Sequence, residues 1–124
     1  MSRIRRFEQL EVWQTARKLS GLVFELTREG PFSRDYGFRS QIRNAAGSSM
    51  DNIAEGFTWG SQKVFIRHLR IAKGSAGEVQ SQLHRALDWK YIDHAQFQNA
   101  YDLADSLISQ LQGFICYLER CKKD

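Results

Sequence analysis

Residues 61–86 read SQKVFIRHLRIAKGSAGEVQSQLHRA. Within them Phe65, Leu69, Ala72, Ala76, Val79, Leu83 and Ala86 recur at spacings of 4 and 3 over three heptads. That is the period of an α-helix with one buried stripe, and no alternating strand pattern competes with it. Ser61 stands where an N-cap belongs, and the pattern ends near Asp88-Trp89-Lys90. The same period extends on both sides. Upstream, Phe38, Ile42, Ala45, Ser49 and Ile53 follow Asp35, an N-cap candidate, and the run stops in Glu55-Gly56-Phe57-Thr58-Trp59-Gly60. Further upstream, Val12, Ala16, Leu19, Val23 and Leu26 form a stripe widened by Trp13, Ser20, Phe24 and Thr27, predicting a first helix near residues 7–28 that stops at Glu29-Gly30-Pro31. Downstream, Asp93 and Gln96 make a capping-box pair ahead of Phe97, Ala100, Ala104, Leu107, Leu111, Phe114 and Leu118. Four apolar stripes joined by short connections predict an all-α fold, an antiparallel up-and-down four-helix bundle.

Composition agrees. A chain of 124 residues is one domain, residues 1–124, and 42% hydrophobic with 26% charged residues is ordinary globular usage. One proline suits long helices, and two cysteines cannot staple a secreted scaffold. No apolar run approaches the roughly 18–20 residues of a membrane span. The start, Met1-Ser2-Arg3-Ile4-Arg5-Arg6, is basic but leads into no signal-peptide hydrophobic stretch, so a cytoplasmic protein is expected. A net charge of +4 permits a nucleic-acid or acidic partner without requiring one.

Enzyme and metal motifs do not fit. Di-iron bundles need Glu-x-x-His on two helices, and none of His68, His84 and His94 follows a glutamate by three residues. Cys116 and Cys121 are five apart on one helix, roughly 140° apart in projection, too divergent to share a metal or a disulfide. Gly74 and Gly77 interrupt a helical pattern and follow no strand, so they are not a phosphate loop. No nucleophile elbow is present. No cofactor, no metal and no catalytic residue is expected. Ser49, Asn52 and Glu55 are polar positions near the core, suited to hydrogen bonding between helices.

The outer face of the third stripe is different. Lys63, Arg67 and Arg70 fall within about 60° of arc, opposite the apolar residues. Lys73 flanks them, and no acidic residue occurs between Ser61 and Gly77. A charge run is commonly a solvated face. Here Phe57 and Trp59 stand at its head, and cations beside aromatics on a turn suit phosphate contacts with base stacking. The candidate nucleic-acid-binding residues are therefore Lys63, Arg67, Arg70 and Lys73, with Arg39, Arg43 and Trp59 next. Gly74 and Gly77 lie nearer the outer face, which fits either close packing in the bundle or contact with a neighbouring subunit or ligand. Val64 and Ile71, off the apolar stripe, are candidate oligomer contacts.

Several motifs carry a family likeness. Phe7-Glu8-Gln9-Leu10-Glu11-Val12-Trp13-Gln14 opens the first helix. Gln41-Ile42-Arg43-Asn44-Ala45-Ala46 leads to Asn52-Ile53-Ala54-Glu55-Gly56-Phe57, and Ala72-Lys73-Gly74-Ser75-Ala76-Gly77-Glu78 precedes Gln82-Leu83. Over about residues 7–118 the chain resembles the 23S rRNA intervening-sequence protein family, also called the S23 or four helix bundle protein family. The resemblance implies a non-enzymatic bacterial bundle that assembles as a homopentamer. It further implies nucleic acid as partner, RNA foremost. The family is also similar to the accessory variability protein of diversity-generating retroelements, which implies as an alternative a scaffold that binds a protein such as a reverse transcriptase. The motif positions Asn52, Glu55, Gly56, Gly74, Ser75 and Glu78 carry structural roles in this reading. Thr58-Trp59 and Lys90 depart from the usual family pattern.

Overall fold

The structure, a computed structural model, describes residues 3–121. Met1 and Ser2 of the basic N-terminal run lie outside them. The helices are α1 (Glu11–Thr27), α2 (Gly30–Arg34), α3 (Tyr36–Thr58), α4 (Gln62–Asp88) and α5 (His94–Cys121), preceded by a 3-10 turn at Phe7–Gln9. The four long helices pack as a ring: α3 on α4, α4 on α5, α5 on α1 and α1 on α3. Cross-helix pairs run in opposite order along the two seams of α4. On α3 and α4, Gln41 meets Arg85, Ser48 meets Ser75, and Asn52 meets His68. Along α4 and α5, Arg70 meets Glu119 while His84 meets Phe97. The bundle is therefore antiparallel.

The α4 stripe is buried at all seven positions expected of it, as are the five positions of α3. On α5 the stripe turns slightly: Ile115 takes the buried place expected for Phe114, which is half-buried against Phe65. The expected caps are present. Asp35 Oδ1 accepts from the Phe38 N–H at 3.2 Å, and Ser61 Oγ from Val64 at 3.3 Å. Asp93 and Gln96 exchange two bonds of 2.7 and 2.9 Å. Each such cap is worth about 1 kcal/mol.

Two boundaries differ from the sequence reading. The first helix does not start at residue 7. Gln9 Oε1 accepts the N–H groups of Arg5 and Arg6, closing a tight turn, and extended Leu10 then drops its side chain into the core before α1 starts. Nor does Glu29-Gly30-Pro31 simply end a helix. Gly30 turns with φ of +69°, and Pro31 opens the five-residue α2, which plants Phe32 in the core with no exposed surface. Phe32 stacks on Phe38 and Tyr91, each 5.1 Å away. The Tyr91 hydroxyl donates to Asp35 Oδ2 at 2.8 Å, tying the α4–α5 turn to the start of α3.

The small residues of α4 divide by position. Ser75 reaches Ser48 Oγ at 3.0 Å, whereas a Cβ built on Gly74 or Gly77 meets nothing within 4 Å. Close packing inside the bundle therefore does not require these glycines. Gly74→Ala and Gly77→Ala are each expected to raise folding stability by roughly 0.5–1 kcal/mol in a urea titration. A loss of stability in either variant would show that another backbone approaches this surface.

Candidate nucleic-acid interface

The outer face of α4 is built by the same heptad that buries its inner one. Lys63, Arg67 and Arg70 are exposed, and Lys73 is half-buried. Arg70 is ion-paired with Glu119 of α5, and Lys73 Nζ donates to Gln112 Oε1. Both cations thus lean toward the α4–α5 seam. Arg67 forms no hydrogen bond or ion pair among the described residues. Trp59 caps the end of α3 with 65% of its surface exposed, beside Glu55 and Thr58, and begins the turn into α4.

Arg39 and Arg43 do not join this face. They project from α3 toward α1 and α2. Arg43 Nε donates to Thr27 Oγ1 at 2.7 Å, with its guanidinium 4.6 Å above the Phe24 ring. Burial, and then the neighbouring Arg39 charge, pull its pKa below the usual arginine value. Arg39 donates to the Ser33 carbonyl at 2.8 Å and lies 4.9 Å over Tyr36. These two arginines hold the α1–α2–α3 corner together.

The motif residues separate into three groups. Asn52 Nδ2 donates to the Ser48 carbonyl and hydroxyl, and its Oδ1 pairs with His68 Nδ1 at 3.0 Å, so it bridges α3 and α4. Gly56 lies where those helices pack closely: a Cβ there would sit 2.5 Å from His68 Cβ. Ser49 is buried and returns its hydroxyl to the Ala46 carbonyl of its own helix. Glu55 is exposed, on the solvent side of α3 and not between helices, because it sits about 100° around the helix from Gly56. Glu78 is exposed as well, at the α3 side of α4.

Of the two candidate oligomer contacts, Ile71 is 46% exposed, while Val64 is half-buried. The sequence reading did not place the N-terminal arginines. Arg5 and Arg6 line a cleft with Phe57 and Thr58, at the same end of the bundle as Trp59. Their basic run was visible in the sequence, but its position depends on the Leu10 turn. Among the described residues no group of three His, Cys, Asp or Glu side chains could hold a metal ion. Cys116 and Cys121 are both free thiols. No helix of the described residues is long and apolar enough to cross a membrane.

A solved structure from Bacteroides thetaiotaomicron, described as a protein of unknown function from the S23 ribosomal protein family, superposes with a TM-score of 0.76. It is 20% identical and covers 84% of this chain and 97% of its own, a likeness of fold. No curated protein matches this sequence. The family model for the 23S rRNA-intervening sequence protein matches residues 8–113, which span α1 to α4 and most of α5. The four-helix ring and the motif-borne seam between α3 and α4 thus belong to a member of the 23S rRNA-intervening sequence protein family.

Proposed function

We propose that this chain is a non-enzymatic RNA-binding protein of the bacterial cytoplasm whose phosphate-contacting surface is the outer face of α4. The observation that carries the reading is the exposed run Lys63, Arg67 and Arg70 on a helix without an acidic residue from Ser61 to Gly77, headed by exposed Trp59. Lysine and arginine on a straight helical face match the repeating charge of a nucleic-acid backbone, and an exposed indole offers a stacking surface to an unpaired base. Nothing on this face reads a base-pair groove, so the backbone contacts themselves carry no sequence preference. Assembly into the pentamer that the family likeness implies belongs to the same proposal. It would multiply a modest monomer affinity through avidity. Ile71 on the outer face of α4 is the apolar residue best placed for such a contact, and native mass spectrometry of wild type against Ile71→Glu tests it.

The binding test is fluorescence anisotropy with labelled RNA at two salt concentrations, on nuclease-treated protein. Affinity is expected to fall with salt, with a log–log slope of about −0.7 per phosphate neutralised on a single strand. The Lys63→Glu, Arg67→Glu double variant, checked for unchanged helicity, is expected to lose at least about tenfold in affinity. Arg70 is left intact because its carboxylate partner already holds it. Binding that ignores both salt and the substitutions would sink the proposal and turn the search to protein partners.

A further inference from the structure

A second recognition element follows the basic run along α4. Glu78, Gln82 and Arg85 recur at i, i+4 and i+7, and so share one side of the helix. With Ser81, and Gln41 from α3, they line a cleft of about 250 Å3. Gln82 is only 5% exposed. Its Nε2 donates to Glu78 Oε2 at 3.4 Å, and its Oε1 is buried without a partner. The opposite amide orientation would set oxygen against the carboxylate, so the bond to Glu78 decides which atom is orphaned. Arg85 has its guanidinium 4.1 Å over Phe38 and 5.4 Å from Trp89, and donates Nη2 to Gln41 Oε1 at 2.9 Å. Its Nε is also buried without a partner. Folded proteins leave few buried polar atoms unpaired. Two of them, on neighbouring side chains of one cleft, mark a place where an outside group completes the pairing.

The side chains define that group. Along α4 they offer the Glu78 carboxylate and the Gln82 carbonyl as acceptors, then the uncommitted N–H groups of Arg85 as donors. The complementary edge carries two adjacent donors followed by an acceptor. Among the unpaired bases of RNA, guanine has that edge: the exocyclic amino group, N1–H and O6. Adenine and cytosine place a ring acceptor next to their amino group, and uracil has one donor between two acceptors. We infer that this cleft takes an unpaired guanine, with Glu78 accepting from the amino group, Gln82 from N1–H, and Arg85 donating to O6. The Glu78–Gln82 bond is at the long limit for a hydrogen bond, so little is lost when the Gln82 amide turns its carbonyl toward the base. Single-stranded RNA is read in this way, on the Watson–Crick edges of splayed bases. The inference deepens the RNA-binding reading, since a strand held by Lys63 and Arg67 would run on toward the cleft, about 22 Å along α4 from Arg67 to Gln82.

The test uses guanosine monophosphate, adenosine monophosphate and inosine monophosphate, which share ribose and phosphate. They are titrated into the full chain while the Gln82 side-chain amide and Arg85 Nε–H signals are followed by NMR. Guanosine monophosphate is expected to shift both signals and to bind roughly tenfold more tightly than the inosine compound, which lacks the amino group. Glu78→Ala, at an exposed helical position, is expected to abolish the preference for guanosine over inosine monophosphate. Equal binding of the guanosine and adenosine compounds would report phosphate contacts alone and overturn the cleft while leaving the α4 stripe standing. Absence of shifts at Gln82 and Arg85 up to millimolar nucleotide would overturn it too. Guanine-selective shifts in a protein whose RNA binding ignores salt and the Lys63→Glu, Arg67→Glu substitutions would uphold the cleft and remove the stripe.

Discussion

Gly56→Ala is expected to lower folding stability by about 3 kcal/mol, which for a chain of this size is a fall of roughly 10 °C in thermal midpoint. The methyl group would arrive 2.5 Å from His68 Cβ, 3.0 Å from His68 Cγ and 3.2 Å from Phe65 Cδ1. The nearest of these atoms is bonded directly to the α4 backbone. No rotamer change moves it away, so α3 and α4 must separate. Separation strains the Asn52–His68 and Ser48–Ser75 bonds on the same seam. A double-mutant cycle isolates the cause. His68→Gly removes the colliding Cβ, and Gly56→Ala in that background is expected to cost much less than in wild type. Equal costs in the two backgrounds would mean that the damage arises elsewhere. Thermal melts followed by circular dichroism suffice for all four proteins.

Phe32→Ala is expected to cost about 3–5 kcal/mol, measured as the shift of the urea midpoint. Phe32 has no exposed surface, although it belongs to a helix of five residues that could not be stable alone. Its ring is the centre of an aromatic cluster with Phe38 and Tyr91, and Trp89 packs edge-on against both of those rings. Removing it leaves a cavity between the α1–α3 connection and the α4–α5 turn, and the Tyr91–Asp35 bond loses the surface that supports it. Phe32→Leu fills most of that space and is expected to retain more than half of the lost stability. A cost below about 1 kcal/mol for the alanine variant would show that α2 does not close this end of the bundle.

These two residues also mark how far the sequence could be read. The α4 heptad was legible because seven residues at one period leave only one face to bury, and the caps at Asp35, Ser61 and Asp93 were legible because capping is a local interaction. Phe32 was not, since a single turn after Gly30-Pro31 has no period to detect. Leu10 was not, because its break depends on Gln9 reaching back to Arg5 and Arg6. The Gly56 contact is tertiary: the sequence marks the glycine, and only the packed seam supplies His68. The outer basic run could be drawn on a helical wheel. That Arg70 is held by Glu119 and Lys73 by Gln112 depends on residues more than a helix away. For the same reason Arg39 and Arg43, which looked like further phosphate ligands, turned out to be fastened against Tyr36, Phe24 and Thr27. Glu55 faced the wrong way in the reading because polarity near an apolar stripe does not specify a side. Arg85 gave no signal until Phe38 and Trp89 were placed around it.

The ring order of the helices has a kinetic meaning. In three of its seams, α1 on α3, α3 on α4 and α4 on α5, each long helix meets the next long helix in the chain. Contacts between sequence neighbours need little loop closure, and low contact order places such a domain among the fast, microsecond-to-millisecond folders. The α1–α5 seam is the exception, joining the two ends of the described chain. Its closure entropy makes it the natural last step, so the three seams between consecutive long helices are expected to form before α1 and α5 meet.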